Sequence, residues 1–143
     1  MSHITISVII VVRNEASKIL KCIRSVEAQF DTSDLWELIV VDGYDYWDKT
    51  WDTVLDVISD NCQIVRSPDN TGSNGFYGHR IYAAYPHLLN SDYILFLDED
   101  NWYEPDHVET LINTIEAKNL DFSYSLRKIF SPKKDYLCDD NCE

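Results

Sequence analysis

Three stretches of this chain are dominated by apolar, largely β-branched residues: Ile4–Val12 (ITISVIIVV), Trp36–Asp42 (WELIVVD) and Asp92–Asp98 (DYILFLD). A strand with one wet face alternates apolar and polar residues. A continuous run instead needs cover on both faces, as in a parallel sheet between layers of helices. CQIVRS (Cys62–Ser67) adds a shorter strand of the same kind. Helical stripes separate the runs. Ile19, Cys22, Ile23 and Val26 recur at i, i+3, i+4 and i+7, and Trp51, Val54, Leu55 and Ile58 repeat that spacing. Pro68–Gly75 (PDNTGSNG) is a dense cluster of turn formers. A helical segment over Phe76–Leu89 follows, which Pro86 should end or kink. Pro105 suits the first position of a helix whose stripe is Val108, Leu111, Ile112 and Ile115. Leu120–Phe130 alternates, which predicts a fifth strand at a sheet edge, and the chain from Ser131 onward is polar and without period. Strands alternating with helices predict an α/β fold, a doubly wound, Rossmann-like, mostly parallel sheet flanked by helices. Its core should include Val8, Ile10, Val40, Leu95 and Leu97. The 143 residues suit one domain, residues 1–130, followed by a polar tail, 131–143.

Charge narrows the function classes. Lys and Arg number 12 against 25 Asp and Glu, a net charge of −13. Such a chain lacks the basic surface that displaces counterions from nucleic acid or attaches to anionic lipid, so no nucleic-acid partner is expected. Excess carboxylates suit solubility and the capture of cations. Four Trp and nine Tyr offer ring faces for a groove as well as for the core. Cys22 and Cys62 fall in apolar elements and read as small buried hydrophobes, whereas Cys138 and Cys142 flank an acidic tail too poor in ligands for zinc. This cysteine pattern suits a reducing compartment. The N-terminal apolar run has no basic flank and is shorter than the ~20 residues of a membrane span. A cytoplasmic protein without signal peptide or membrane span is expected.

In a doubly wound sheet the ligand lies outside the carboxyl ends of the strands. Asp42 and Asp98 both end apolar strands and should share that edge. Asp98 opens the tripeptide Asp98-Glu99-Asp100, whose outer carboxylates could converge on a hard cation or a sugar diol. Loop carboxylates capping the helix after Pro105 would produce the same letters. Other nucleotide and hydrolase signatures are missing from the sequence. It has no G-x-G-x-x-G, no G-x-x-x-x-G-K-[ST], no G-x-S-x-G and no H-x-x-x-H. A phosphoreceiver domain would want an acidic pair after the first strand, where this chain has RNE. A sugar-1-phosphate nucleotidyltransferase would want a Gly- and Arg-rich loop there.

The order ISVIIVVRNEASKILKCIRSVEAQ, LWELIVVDG, DNTGSNGFYGHRIYAAY, SDYILFLDEDNWYEPDHVETLI resembles the family-two glycosyltransferases of the GT-A fold, over roughly Ile4–Phe130. The resemblance implies a metal-dependent, inverting transfer of sugar from a nucleoside-diphosphate donor, UDP-linked in the commonest case, to an unknown acceptor. It implies that Val12, Arg13 and Glu15 wall the nucleobase and that Asp42 hydrogen-bonds it. The segment 70–80 would approach the nucleotide from the other side, with Arg80 toward the diphosphate. Asp98 would contact ribose or metal, and Asp100 would coordinate Mn²⁺ or Mg²⁺. Plainer roles stand beside these: a solvated turn for Arg13, a first-turn helix position for Glu15, and a surface ion pair for Arg80. Inverting transfer also needs a carboxylate base, which the family usually draws from a later half that also builds the acceptor site. Only 43 residues follow Asp100, and their late acidic run offers Asp139 and Asp140 as base candidates. The chain could therefore lack the acceptor half. The alternative is a non-catalytic nucleotide-sugar-binding module or a truncated donor half. A homo-oligomer is compatible with either.

Overall fold

The computed structural model describes residues 4–29, 35–43, 45 and 47–140. Cys142 and Glu143, at the end of the acidic tail, lie outside them. The described chain divides into two compact units, meeting between Asp106 and His107.

In the first unit, strands β1 (Ile6–Val12), β2 (Leu35–Asp42), β3 (Cys62–Ser67) and β4 (Tyr93–Asp98) form one parallel sheet in the order β3-β2-β1-β4. The helices are α1 (Ile19–Glu27), α2 (Thr50–Leu55) and α3 (His79–Ala84). Because β1 and β2 are central, both of their faces are covered, and Val8, Ile9, Ile10, Ile39 and Val40 are fully buried. All four stripe residues of α1 are buried, each contributing roughly 1.5–3 kcal/mol of apolar burial. β4 is an edge strand. Leu97 is buried as expected, but Leu95 is only half-buried and Phe96 is exposed; among the described residues no strand pairs with β4 on its outer side. In α2, Thr50 and Val54 are buried while Leu55 is exposed, so the short helix turns a narrower stripe inward than its spacing predicts. The helix expected over Phe76–Leu89 is broken. A 3₁₀ turn (Ser73–Gly75) precedes α3, and a second 3₁₀ turn (Tyr85–Leu88) begins where Pro86 cannot donate to the helical ladder. Arg80 therefore sits in the first turn of α3 rather than in the middle of a long helix.

The second unit contains α4 (His107–Lys118) and the antiparallel strands β5 (Arg127–Phe130) and β6 (Tyr136–Asp140). The fifth strand expected over 120–130 is confined to its last four residues, and it pairs with β6 rather than extending the four-stranded sheet. The stretch read as a polar tail, 131–143, carries β6. Cross-strand charge explains the pairing: Arg127 lies opposite Asp140 and bonds to it, and Lys128 lies opposite Asp139.

One core position breaks the pattern. Glu37, on β2, is 4% exposed, and neither carboxylate oxygen meets a hydrogen-bond partner. Burial, reinforced by the charge of Glu27, pushes its carboxyl up to about 8 from an ordinary 4.5; the Cys62 thiol opposite it on β3 eases the ionised form only weakly. The unfolded chain releases this proton at a lower pH than the native one. The stability tied to it is complete below the ordinary carboxylate value and is lost as pH rises through about 8. Native stability should therefore fall between these values with a slope of up to about 1.4 kcal/mol per pH unit from this group. Glu37→Gln should flatten that slope, as read by urea unfolding at a series of pH values; an unchanged slope would contradict the buried-acid assignment.

Candidate functional site

The strand order reverses direction between β1 and β4: the chain builds outward through β2 and β3, then crosses back to β4 on the other side of β1. Helices and loops diverge at such a point and leave a crevice at the carboxyl ends of the strands. Register aligns its walls. Val11 pairs with Val40 on one side and Asp98 on the other, and Asp42 pairs with Ser67. A cleft of about 570 Å³ opens there, within the range of small-molecule sites. Asp42, Asp98, Glu99 and Asp100 line it together with Arg13 and Asn70. Asp42 and Asp98 thus share one edge, as the sequence predicts.

Asp42 is 2% exposed, and its carboxylate is fully engaged: Oδ1 accepts from the Thr71 amide at 3.0 Å and Oδ2 from the Gly72 amide at 2.8 Å. The loop after β3 therefore hangs on the end of β2. Two solvent-shielded polar atoms of that loop, Asn70 Oδ1 and Thr71 Oγ1, have no hydrogen-bond partner. Gly43 makes the close approach possible. Its φ is +87°, and a Cβ there would come within 3.1 Å of the Asn70 backbone and 2.2 Å of the Arg13 guanidinium. Arg13 donates to the Asp42 carbonyl and pairs with Asp45, each at 3.0 Å. Asn14, in the left-handed region at φ 53°, donates to the same Asp45 oxygen at 2.6 Å. The turn after β1 is thus clamped to the turn after β2.

On the opposite wall, the Tyr82 hydroxyl of α3 lies 2.9 Å from Asp98 Oδ1 and 3.2 Å from the Leu97 carbonyl. Burial first, then the Asp98 charge, raises the Tyr82 pKa, so the phenol stays protonated and donates. Glu99 is raised by burial and by its acidic neighbours Asp100 and Asp98. The three acids therefore crowd one another, and the Lys18 ammonium interacts with Asp100 and Glu99.

The remaining expected residues have the following surroundings. Val12 is buried and does not line the cleft; strand alternation turns Val11 toward it instead. The Glu15 carboxylate pairs with Lys18 at 3.0 Å, while its amide donates to Thr50 Oγ1. Arg80 is exposed, stacks over the Phe76 ring and donates to the Thr71 carbonyl at 3.3 Å. It supports the loop rather than lining the cleft. Asp139 and Asp140 belong to the β5–β6 hairpin, Asp140 ion-paired with Arg127. Sequence reading missed Tyr82, Asp45 and the individual role of Asn70. Only the turn-former density of PDNTGSNG pointed to that loop.

The cleft's donors are hard carboxylate oxygens of the kind Mg²⁺ and Mn²⁺ select. Among the described residues no three His, Cys, Asp or Glu side chains are grouped to hold a metal ion. That donor set fits a cation that completes its shell with ligand phosphate and water, and does not fit a resident all-protein cage. No described helix is long and apolar enough to cross a membrane.

The fold has known counterparts. S. aureus TarS superposes with a TM-score of 0.63 at 15% identity, covering 90% of this chain and 24% of that one. A TarS segment, residues 1–349, in complex with UDP gives 0.63 at 16% identity over 90% and 40%. The same segment with UDP-GlcNAc gives 0.64 at 16% identity over 90% and 38%. The chain thus spans about a quarter to two fifths of the length of these structures, and the likeness is one of fold. No curated protein sequence matches it. The sequence profile of glycosyl transferase family 2 matches residues 7–137, nearly the whole chain, and the chain belongs to that family.

Proposed function

We propose that the cleft binds the nucleoside-diphosphate part of a sugar donor, a UDP-sugar, for inverting transfer of the sugar to an acceptor hydroxyl. The observation that carries this is the convergence, at the point where the strand order reverses, of an Asp42-anchored loop and the Asp98–Asp100 carboxylates on one cleft. Family membership and the UDP and UDP-GlcNAc complexes of TarS support the donor class.

In this reading Asp42 works mainly through the loop it holds. Asn70 Oδ1, shielded and without a partner in the cleft wall, accepts the N3–H of uracil. Burial of an unsatisfied acceptor costs about 1–3 kcal/mol, which a base donor would recover. Arg13, fixed by Asp45, offers its remaining guanidinium edge on the cleft side. Asp98 and Asp100 hold a divalent cation, Mn²⁺ or Mg²⁺, shared with the diphosphate. That cation would neutralise charge developing on the leaving diphosphate. Tyr82 orients Asp98 by occupying one of its oxygens, leaving the other for ribose or cation. Asp139 and Asp140, on the β5–β6 hairpin, remain the candidates for the carboxylate base.

Calorimetric titration with UDP, in Mn²⁺ and in chelator, tests this. Metal and nucleotide should bind with a positive coupling of about 1–3 kcal/mol. Asp100→Asn keeps the side chain's size and removes its charge; it should abolish the Mn²⁺-dependent part of the affinity and keep the metal-free part. Equal Mn²⁺ enhancement in parent and variant would refute the cation assignment. Tyr82→Phe should weaken binding in Mn²⁺ by about 0.5–1.5 kcal/mol, the worth of one hydrogen bond, and leave metal-free binding nearly unchanged. A loss of equal size in chelator would mean that Tyr82 serves the fold rather than Asp98.

A further inference from the structure

Among the described residues, five that are not glycine hold a left-handed backbone: Asn14, Asn74, Tyr77, Asn119 and Lys134. Asparagine enters that region readily, and Lys134 turns the chain between β5 and β6. Tyr77 is the exception. With φ at 49° its Cβ crowds the backbone, a conformation that a bulky L-residue keeps only where its surroundings impose it. Those surroundings belong to the cleft wall. The Tyr77 amide donates to the Gly72 carbonyl at 2.9 Å, and a Cβ on Gly72 would lie 2.3 Å from the Tyr77 carbonyl oxygen. The Gly72 amide is in turn bound by Asp42. The strain at Tyr77 is therefore maintained from the end of β2.

A glycine would meet the same backbone requirement without strain, as Gly75 does at φ +83°. What the strain maintains is a side chain. Tyr77 lines the cleft, yet it is 74% exposed. A ring so open to water gains little from apolar burial, and the fold does not repay its conformation. The other tyrosine lining the cleft is engaged: the Tyr82 hydroxyl bonds to Asp98, and its ring meets Phe96 edge-on at 5.2 Å. The neighbouring Phe76 carries the Arg80 guanidinium over its ring. Tyr77 meets the His79 ring at 6.3 Å with the planes at 82°, a contact that steadies the phenol and covers at most one of its faces.

We propose that Tyr77 contacts the donor: its ring is a platform, preformed on the cleft wall, that stacks on a ring face of the nucleotide sugar, either the planar uracil or the apolar face of the sugar. This role rests on the cleft being a donor site. Stacking removes two apolar faces from water, and a ring whose backbone is already fixed loses little freedom when the ligand arrives. Both rings of the donor offer such a face, and two probes that differ only in the sugar tell them apart.

Three variants separate ring from backbone. Tyr77→Phe keeps the ring and the strain. Tyr77→Asn removes the ring and leaves a residue that tolerates φ 49°. Tyr77→Gly removes both ring and strain. Calorimetry with UDP and with UDP-GlcNAc, in Mn²⁺, reads binding, and urea unfolding of the same samples reads stability. Tyr77→Phe should bind like the parent. Tyr77→Asn and Tyr77→Gly should lose about tenfold in affinity while their urea midpoints hold or rise. An equal loss with both ligands assigns the platform to uracil, and a loss confined to UDP-GlcNAc assigns it to the sugar. Tyr77→Asn binding both ligands as tightly as the parent would overturn the proposal and leave the donor reading standing. Tyr77→Phe as weak as Tyr77→Asn would also overturn it, since the hydroxyl and not the ring would then act. A urea midpoint that falls in step with affinity would mean that the ring serves the fold. A parent that binds neither ligand would refute the donor reading and the role of Tyr77 with it.

Discussion

The carboxylate at the end of β2 holds the functional edge of this molecule together. Asp42 has left solvent almost entirely, and both of its oxygens are taken by successive amides, those of Thr71 and Gly72. Charge-assisted bonds of this kind are each worth about 1.5–3 kcal/mol, enough to anchor the loop and its 3₁₀ turn to the end of β2. The backbone approach needs the absent side chain of Gly43, and the neighbouring turn is fixed by Arg13 and Asn14 on Asp45. One wall of the cleft is thus built from the ends of β1 and β2 and preformed before any ligand arrives.

The other wall has the opposite character. Asp98, Glu99 and Asp100 follow an edge strand and crowd like charges together, and Glu99 is driven up by burial and by its neighbours. Tyr82 stabilises one member of the group, and Arg80 and the loop stay on their own side. A rigid, hydrogen-bonded wall facing an acidic one suits a ligand that carries donors on one part and arrives with a cation on another. A nucleoside diphosphate with a divalent ion has that form.

Much of this was legible in the amino-acid sequence because it follows from periodicity. Apolar runs located β1, β2 and β4, and the stripe of α1 was read residue by residue. The position of Asp42 and Asp98 at strand ends placed them on one edge before any coordinates. What escaped depends on context that one sequence does not display. Leu95 read as core, yet β4 is an edge strand with no strand beyond it among the described residues. Val12 read as a cleft residue, but alternation along β1 gives that place to Val11. Arg80 read as a diphosphate ligand, and the break in the helix around α3 directs it to Thr71 and Phe76. β6 was invisible because its pairing rests on cross-strand charge, Arg127 against Asp140, rather than on apolar alternation. Tyr82 and Glu37 show the same difficulty. A tyrosine in a helix and a glutamate in a strand look ordinary until their burial and partners are known.

The central claim is that Asp42 creates the nucleotide cleft by fixing the loop after β3. Amide hydrogen exchange at Thr71 and Gly72 measures it most directly, in the parent chain and in Asp42→Ala, with UDP affinity determined on the same samples. The account predicts protected amides in the parent. In the variant, protection at these two positions should be lost, UDP affinity should fall by about 1–3 kcal/mol, and exchange in β1 and α1 should be unchanged. Amides that exchange as fast in the parent as in the variant, or a variant that binds UDP as tightly as the parent, would contradict it.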